Sequence, residues 1–168
     1  MKRFIALVAV AATGCVSSAP VSFSGVAPPG RDTAYQCAVA QLNIMGYTIE
    51  DGNADAGFVR GRKQTSGIGT QIVTGNTYHD LLRAQVFDNP ATGETNLTVV
   101  ASRIADHDVS LIGALAGDEP EQGEDVLGPS ESGKSDARTL LANCGVSNVT
   151  GNSEGQAEDL LQGTVDSF

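Results

Sequence analysis

Residues 33–63, TAYQCAVAQLNIMGYTIEDGNADAGFVRGRK, carry a helical pattern that leads directly into a hairpin pattern. Apolar side chains recur on one helical face at Ala34, Ala38, Leu42 and Met45, with Cys37 and Gln41 beside them. Thr33 and Gln36 have the spacing of a capping box, and Gly46 suits the left-handed residue that ends a helix. The pattern therefore predicts a helix over residues 33–45.

Short alternating segments on either side of this helix predict the strands of an antiparallel sheet. They span residues 47–50, 58–63, 78–87 and 95–104, with a short edge strand at 21–26. A second helix is expected over 136–143, with Ser135 at its start and Gly145 at its end. The predicted fold class is α+β, a small two-layer sandwich of about four antiparallel strands packed against two helices and flanked by disordered segments.

These elements divide the chain into six consecutive parts. We expect a signal peptide at 1–14, a lipid anchor and tether at 15–30, an α+β core at 31–116, an acidic Gly/Pro/Ser linker at 117–134, a C-terminal helix packed on the core at 135–145, and an acidic, loosely ordered tail at 146–168. Residues 66–77 are rich in glycine and threonine, which predicts a long, mobile loop between two strands.

The core positions and turn glycines of residues 34–63 resemble the start of small envelope lipoprotein domains. The positions concerned are Ala34, Ala38, Leu42, Gly46, Tyr47, Ile49, Gly57, Val59, Gly61 and Lys63. Domains of this kind begin with a helix and a hairpin, and they include lipoprotein subunits of outer-membrane protein assembly. The resemblance implies a similar fold and says less about role, because one fold hosts many functions.

The amino terminus has the layout of an export signal, with Lys2 and Arg3 before nine apolar residues. It ends on Ala12-Thr13-Gly14-Cys15, which resembles the lipobox of bacterial lipoproteins. The resemblance implies cleavage before Cys15, a diacylglycerol on its sulfur and an acylated amino group. Because Val16 follows instead of an aspartate, it also implies an outer-membrane anchor facing the periplasm. The alternative is an ordinary signal peptide with a chance cysteine near its cleavage site.

The cysteine count follows from this assignment. The chain has three cysteines, and lipidation of Cys15 leaves Cys37 and Cys144. A single remaining pair in an exported protein predicts a disulfide. Such a bond closes a loop of over a hundred residues, which stabilises the folded state by up to about 4–5 kcal/mol in the chain-entropy account. The alternative is two buried thiols that act as small apolar side chains.

The charge distribution excludes one class of partner. The formal net charge is −10, and after residue 117 eleven acidic residues accompany only Lys134 and Arg138. Nucleic-acid affinity depends on cations that neutralise phosphates, so we expect no nucleic-acid partner.

Residues 128–135, GPSESGKS, match the phosphate-binding pattern GxxxxGK[ST] letter for letter. In such a loop backbone amides surround the phosphates, Lys134 would contact the terminal one and Ser135 would bind Mg²⁺. The context does not fit, since residues 118–125 are acidic where a buried strand is required, and Glu131 would place negative charge inside the loop. We interpret the segment as a linker with a helix cap, and we predict no nucleotide and no cofactor.

Two further motifs have some of the features of metal sites. Residues 51–57, DGNADAG, place oxygens at alternate positions as in a calcium loop, but Ala56 and Arg62 stand where glycine and a bidentate glutamate are needed. The pair His79-Asp80 and the run 106–108, DHD, lie on strands, where neighbouring side chains point to opposite faces. We predict no metal site, with a zinc site shared by the two strands as the alternative.

Arg60, Arg62 and Lys63 form the basic cluster of the sequence. Arg60 and Arg62 share a strand face, so an anionic contact, such as lipopolysaccharide or peptidoglycan carboxylates, is one interpretation. The other interpretation is a charged outer face of an antiparallel sheet.

The sequence thus predicts a lipid-anchored envelope protein rather than an enzyme. It lacks the HExxH and GxSxG motifs and has no cysteine–histidine pair with an orienting group. We expect a non-enzymatic binding, assembly or structural module at the outer membrane, whose partner is an envelope protein or the cell wall. The alternative is a periplasmic ligand-binding or weakly catalytic domain that uses the 66–77 loop.

Overall fold

The structure, a computed structural model, describes residues 19–66, 76–107 and 124–151. These ranges contain the strands β1 (Val21–Val26), β2 (Thr48–Asn53), β3 (Phe58–Gln64), β4 (Asn76–Asp88), β5 (Thr95–His107), β6 (Glu124–Leu127) and β7 (Ser147–Gly151). They also contain the helices α1 (Arg31–Ile44) and α2 (Glu131–Asn143). The α+β class is confirmed, but the count of about four strands is wrong, because the sheet has seven.

The sheet is antiparallel, with the order β2-β3-β4-β5-β1-β7, and β6 also pairs with β5. β4 pairs with β5 along its whole length. The other edge of β5 is shared, because β1 pairs with residues 96–101 and β6 with residues 103–106. β5 is therefore the strand on which the N-terminal and C-terminal parts of the described chain meet.

Both helices pack on one face of the sheet. Along β4, Leu82, Ala84 and Val86 are buried, while the intervening Arg83, Gln85 and Phe87 are exposed. The helices supply buried side chains to the same core, namely Ala34, Ala38 and Leu42 from α1 and Ala137, Leu140 and Leu141 from α2. We call the side of the sheet away from the helices the open face.

The two helices begin earlier than their sequence patterns indicate. Gly30 is the N-cap of α1, with a φ of 110°, and no side chain caps this end, so the predicted capping box is wrong. Only glycine adopts this φ readily, and it turns the chain from β1 into the helix. α2 begins at Glu131 with Ser130 as its N-cap, five residues before the predicted start. The predicted C-terminal glycines are confirmed, since Gly46 and Gly145 have φ values of 82° and 69°.

Three strands differ from the sequence-based expectation in their position or their existence. The predicted strand Val21–Val26 is confirmed, but it lies between β5 and β7 rather than at an edge. Val21 and Phe23 are each 3% exposed, so this strand is part of the core. β6 and β7 fall in segments that we expected to be a linker and a loose tail. Both are short, at least half of the residues in each are not apolar, and their strand conformation is stabilised by pairing with β5 and β1.

The predicted disulfide is confirmed, because Cys37 and Cys144 are bonded across 107 residues of chain. Cys37 lies in the middle of α1 and Cys144 is the C-cap of α2, so the bond fastens the two helices to each other. Asn143 Nδ2 donates a hydrogen bond of 2.8 Å to Gln41 Oε1 beside the bond.

Several predictions concern residues outside the described ranges. They are the signal peptide at 1–14, lipidation of Cys15, most of the 66–77 loop, the first part of the acidic linker and the end of the tail. In the described ranges, no helix is long and apolar enough to cross a membrane.

Candidate functional site

The segment that matches the phosphate-binding pattern forms the connection from β6 to α2 and the first turn of α2. Ser130 Oγ accepts a hydrogen bond of 2.9 Å from the Gly133 backbone N–H, which caps the helix. The Ser130 carbonyl accepts a bond of 3.0 Å from the Lys134 N–H, which begins the helical ladder. Ser130 is therefore the N-cap residue of α2, and its hydroxyl accepts a backbone N–H of the first turn.

A buried carboxylate occupies the space beside this helix end. Asp80 of β4 is 0% exposed, and its Oδ2 accepts hydrogen bonds from Ser130 Oγ at 2.6 Å and Ser132 Oγ at 2.8 Å. A Cβ added at Gly133 would lie 3.2 Å from Asp80 Cγ, so the glycine is what allows the carboxylate to approach the helix. Because a helix N-terminus attracts negative charge, Asp80 occupies the position that a bound anion would take.

Lys134 takes no part in an anion site. Its Nζ lies 3.0 Å from Glu131 Oε1, one turn earlier in the same helix. The key residues of the pattern GxxxxGK[ST] thus have partners within the protein itself. Ser130 caps the helix, Gly133 leaves room for Asp80, and Lys134 forms a surface ion pair with Glu131. This arrangement gives a physical reason for our interpretation that the match is coincidental.

Asp80 also lies between two cations in the sheet. Lys63 of β3 and Arg103 of β5 are its direct partners in the strand register, so the three residues form one row on the helix side. The Arg103 guanidinium lies 4.2 Å from the centre of the Tyr78 ring, within the range of a cation–π contact. Opposite charges directly across neighbouring strands stabilise a sheet.

A second carboxylate connects α2 to the first hairpin. Asp136 Oδ2 accepts hydrogen bonds from Tyr47 Oη at 3.1 Å and from Lys63 Nζ at 2.9 Å. Lys63 Nζ also lies 5.2 Å from the centre of the Tyr47 ring. Burial raises the pKa of Tyr47 well above its usual range, and the negative charge of Asp136, its hydrogen bond and the charge of Asp80 raise it further. Tyr47 is therefore a neutral hydrogen-bond donor and not a general base.

We call this set of six residues the latch cluster: Tyr47, Lys63, Asp80, Ser130, Ser132 and Asp136. Its hydrogen bonds connect β3, β4 and the residue before β2 with the start of α2, so its structural effect is to fix that helix on the sheet. Two buried atoms beside it, Asp80 Oδ1 and Arg103 Nε, have no hydrogen-bond partner within the described ranges.

Sequence analysis missed the latch cluster, although one signal for it was present. Asp80 lies in the alternating pattern of β4 on the same face as Leu82, Ala84 and Val86, where an apolar residue is expected. An acidic residue at an inward position requires a polar partner, and that requirement points to a buried site. No sequence signal identified Ser130 and Ser132 as the partners, because they lie fifty residues further along the chain.

The structure divides the predicted basic cluster between two faces of the sheet. Lys63 points to the helix side and belongs to the latch cluster, while Arg60 and Arg62 are on the open face. Both arginines have an acidic neighbour. Glu50 lies 3.3 Å from Arg60 and 3.4 Å from Arg62, and Arg62 also contacts Asp106. The three cations therefore do not form one common anion site.

In the structure, the residues of the two possible metal sites contact other groups of the protein. His79 Nε2 lies 3.3 Å from Asp106 Oδ2, and Arg62 binds the same carboxylate oxygen. In the calcium-like loop, Asn53 Oδ1 accepts a hydrogen bond of 2.9 Å from the Ala56 N–H within the turn. Among the residues that the structure describes, no three His, Cys, Asp or Glu side chains are grouped as metal ligands.

No known protein-family model matches the chain, and no curated protein matches it. What the protein does must therefore be argued from its residues and their arrangement.

Proposed function

We propose that this protein is an exported, lipid-anchored module that binds another component of the bacterial envelope and has no catalytic role. The observation that carries the proposal is the Cys37–Cys144 disulfide. Such bonds persist in oxidising compartments outside the cytosol. The bond also accounts for two of the three cysteines, so that Cys15, at the end of the lipobox-like run, is the remaining one.

The polar residues of the fold support a structural rather than a catalytic assignment. The latch cluster is the most chemically suggestive group in the described ranges, and its carboxylates are bound by hydroxyl and ammonium groups of the protein itself. Tyr47 and Asp80 are 2% and 0% exposed, so neither has access to a substrate. The candidate partner is an envelope protein or the cell wall.

Among the described strands, β6 pairs only with β5, and the main strand order ends at β2 and β7, where a partner strand could add. The pairing of each with its neighbour is interrupted, between Ile49 and Asp51 in β2 and opposite Ser24 and Val26 for β7. Such bulges discourage indiscriminate strand pairing while leaving part of the backbone available. Binding at an edge of this sheet would therefore be selective.

Two experiments test the proposal on the full-length protein in cells. Metabolic labelling with a radioactive fatty acid should label the wild-type protein and not Cys15→Ser, and label on the variant would refute lipidation at this residue. Photo-crosslinking side chains at Asp51 in β2 and Val149 in β7 should capture one defined envelope component. Ala91, exposed in the turn between β4 and β5, is the control position. Capture of nothing but lipid at saturating crosslinking would contradict a binding role.

A further inference from the structure

Part of the open face has an unusual composition for this acidic protein. In the strand register, Ser22, Val100, Arg83, Arg60 and Asp51 lie directly opposite one another in one row across five strands, from β1 to β2. The next row contains Ser24, Thr98, Gln85 and Phe58, and the row after it contains Phe87. We call six of the outward-facing residues in these rows on β3–β5 the open patch: Phe58, Arg60, Arg83, Gln85, Phe87 and Val100.

The open patch places two like charges side by side. Arg60 and Arg83 are both exposed and are direct register partners. Like charges directly opposite each other destabilise a sheet unless an anion lies between them. Glu50 lies 3.3 Å from Arg60, and Asp51 is the register partner of Arg60 on β2. Arg83 has no acidic partner in the described ranges, and its guanidinium lies 5.6 Å from the centre of the Phe58 ring. Guanidinium pairs of this kind suit phosphate groups, to which arginine donates two parallel hydrogen bonds.

Apolar side chains accompany these cations. Phe87 is 44% exposed and lies on the same face, next to Gln85 and Arg83 on alternate positions of β4. Exposed apolar groups bordered by cations characterise surfaces that contact lipid headgroups and the outer part of the acyl region.

The length of the tether brings this surface close to the proposed lipid anchor. Cys15 and Val21 are six residues apart, so the extended chain between them spans at most about 20–22 Å. Val21 is 3% exposed and is fixed in the core at the start of β1. Arg83 is two strands from Ser22 in the same row, a lateral distance of about 10 Å at the usual strand spacing. The tether is thus too short to hold the domain far from the membrane, and it is long enough for the open patch to reach it.

We propose that the open patch lies against the headgroups of the membrane that holds the lipid. This inference rests on the proposed lipidation of Cys15. Arg60 and Arg83 bind headgroup phosphates, and Phe58 and Phe87 contact the interfacial region. The helix layer faces away from the membrane, because the Glu131 side chain of α2 is 89% exposed and would be repelled by anionic lipid. This orientation leaves α1, α2 and the edges β2 and β7 available to a protein partner.

The test uses the full-length lipoprotein reconstituted into phosphatidylethanolamine vesicles with and without phosphatidylglycerol. An environment-sensitive fluorophore is attached at Gln85→Cys in the open patch, or at Thr139→Cys on the exposed side of α2 as the matched control. We expect the position-85 label to be protected from a water-soluble quencher, more strongly with phosphatidylglycerol, and the position-139 label to remain accessible. The double substitution Arg60→Gln and Arg83→Gln should shift the docked-to-undocked ratio on the order of 30-fold toward undocked, whereas Lys134→Gln should leave it unchanged.

The outcomes separate this inference from the proposed function. Equal quenching of the two labels on vesicle-bound protein would refute the docked orientation while leaving lipid anchoring intact. Failure of the full-length protein to associate with vesicles at all would instead refute lipidation. Protection of the position-85 label that depends on protein concentration without vesicles would show that a second copy covers the patch, and it would overturn the proposal. Equal effects of Lys134→Gln and the double substitution would show attraction by net charge only, which also contradicts it.

Discussion

Replacing Asp80 with alanine should destabilise the fold more than any surface substitution of an acidic residue. The carboxylate is fully buried and accepts hydrogen bonds of 2.6 and 2.8 Å from Ser130 and Ser132. A hydrogen bond to a charged group contributes about 1.5–3 kcal/mol, and a negative charge at a helix N-terminus adds about 0.3–2 kcal/mol. Relief of the cost of burying the charge offsets part of this sum. We therefore expect the free energy of unfolding to fall by about 3–5 kcal/mol, as for other broken buried charge sets.

The measurement is urea unfolding of the oxidised protein, followed by circular dichroism. With a denaturant slope of about 2 kcal/mol/M, the expected loss lowers the urea midpoint by about 1.5–2.5 M. Asp51→Ala, at an exposed position on the edge strand β2, is the matched control and should change the unfolding free energy by less than about 0.5 kcal/mol. Asp80→Asn keeps the shape and one acceptor, so its effect should lie between those of the other two variants.

A double-mutant cycle examines the cause of the effect. If Asp80 acts through the two serines, the combination of Asp80→Ala with Ser130→Ala and Ser132→Ala should be non-additive by about 0.5–3 kcal/mol. An Asp80→Ala variant as stable as Asp51→Ala would refute the latch cluster as a stabilising feature. A destabilised variant with additive effects would refute the role of the serines, and the loss would then come from the row with Lys63 and Arg103.

Three further predictions concern other parts of the molecule. Replacing Cys37 and Cys144 together with alanine should lower the free energy of unfolding by up to about 4–5 kcal/mol, and a reducing agent should weaken the wild type but not this variant; a wild type insensitive to reductant would contradict it. The pKa of Tyr47 is higher in the folded than in the unfolded state, so its contribution to the free energy of unfolding is complete below about pH 10. Above that pH the contribution is lost at up to about 1.4 kcal/mol per pH unit. Tyr47→Phe should therefore show a shallower decline of stability in urea unfolding at alkaline pH, and identical slopes would refute the assignment. Magnesium ATP should not raise the melting temperature of the protein, and Lys134→Gln should change the free energy of unfolding by less than about 0.5 kcal/mol. Stabilisation by the nucleotide that this substitution abolishes would restore the phosphate-loop interpretation.

Local patterns were sufficient to predict much of the fold. The face formed by Ala34, Ala38 and Leu42 is buried as its helical spacing indicates, and Gly46 ends α1 in the left-handed region. The long strands β4 and β5 were predicted because alternation of apolar and polar residues over many positions reflects a face that is buried and a face that is open. Their true bounds extend a few residues beyond the pattern at one or both ends.

The errors on strands have their physical origin in long-range pairing, and two other errors arose locally. β6 and β7 contain few buried apolar residues, so their own sequences have little preference for a strand, and backbone hydrogen bonds to β5 and β1 supply it. The predicted capping box at Thr33 was wrong because Gly30 already directs the chain from β1 into α1. The basic cluster appeared continuous in sequence, yet alternation along β3 sends Lys63 to the opposite face from Arg60 and Arg62.

By itself, the sequence determined the features that depend on neighbouring residues. These are the α+β class, the turn glycines, the single cysteine pair that forms the disulfide, and the expectation of export and lipidation at Cys15. Only the tertiary structure decided which partners the polar residues contact. It placed Asp80 beside Ser130 and Ser132, and in doing so it converted a perfect phosphate-binding pattern into a helix cap bound to the protein's own carboxylate. That outcome depends on residues fifty positions apart meeting beside a buried carboxylate, and no local pattern encodes such a meeting.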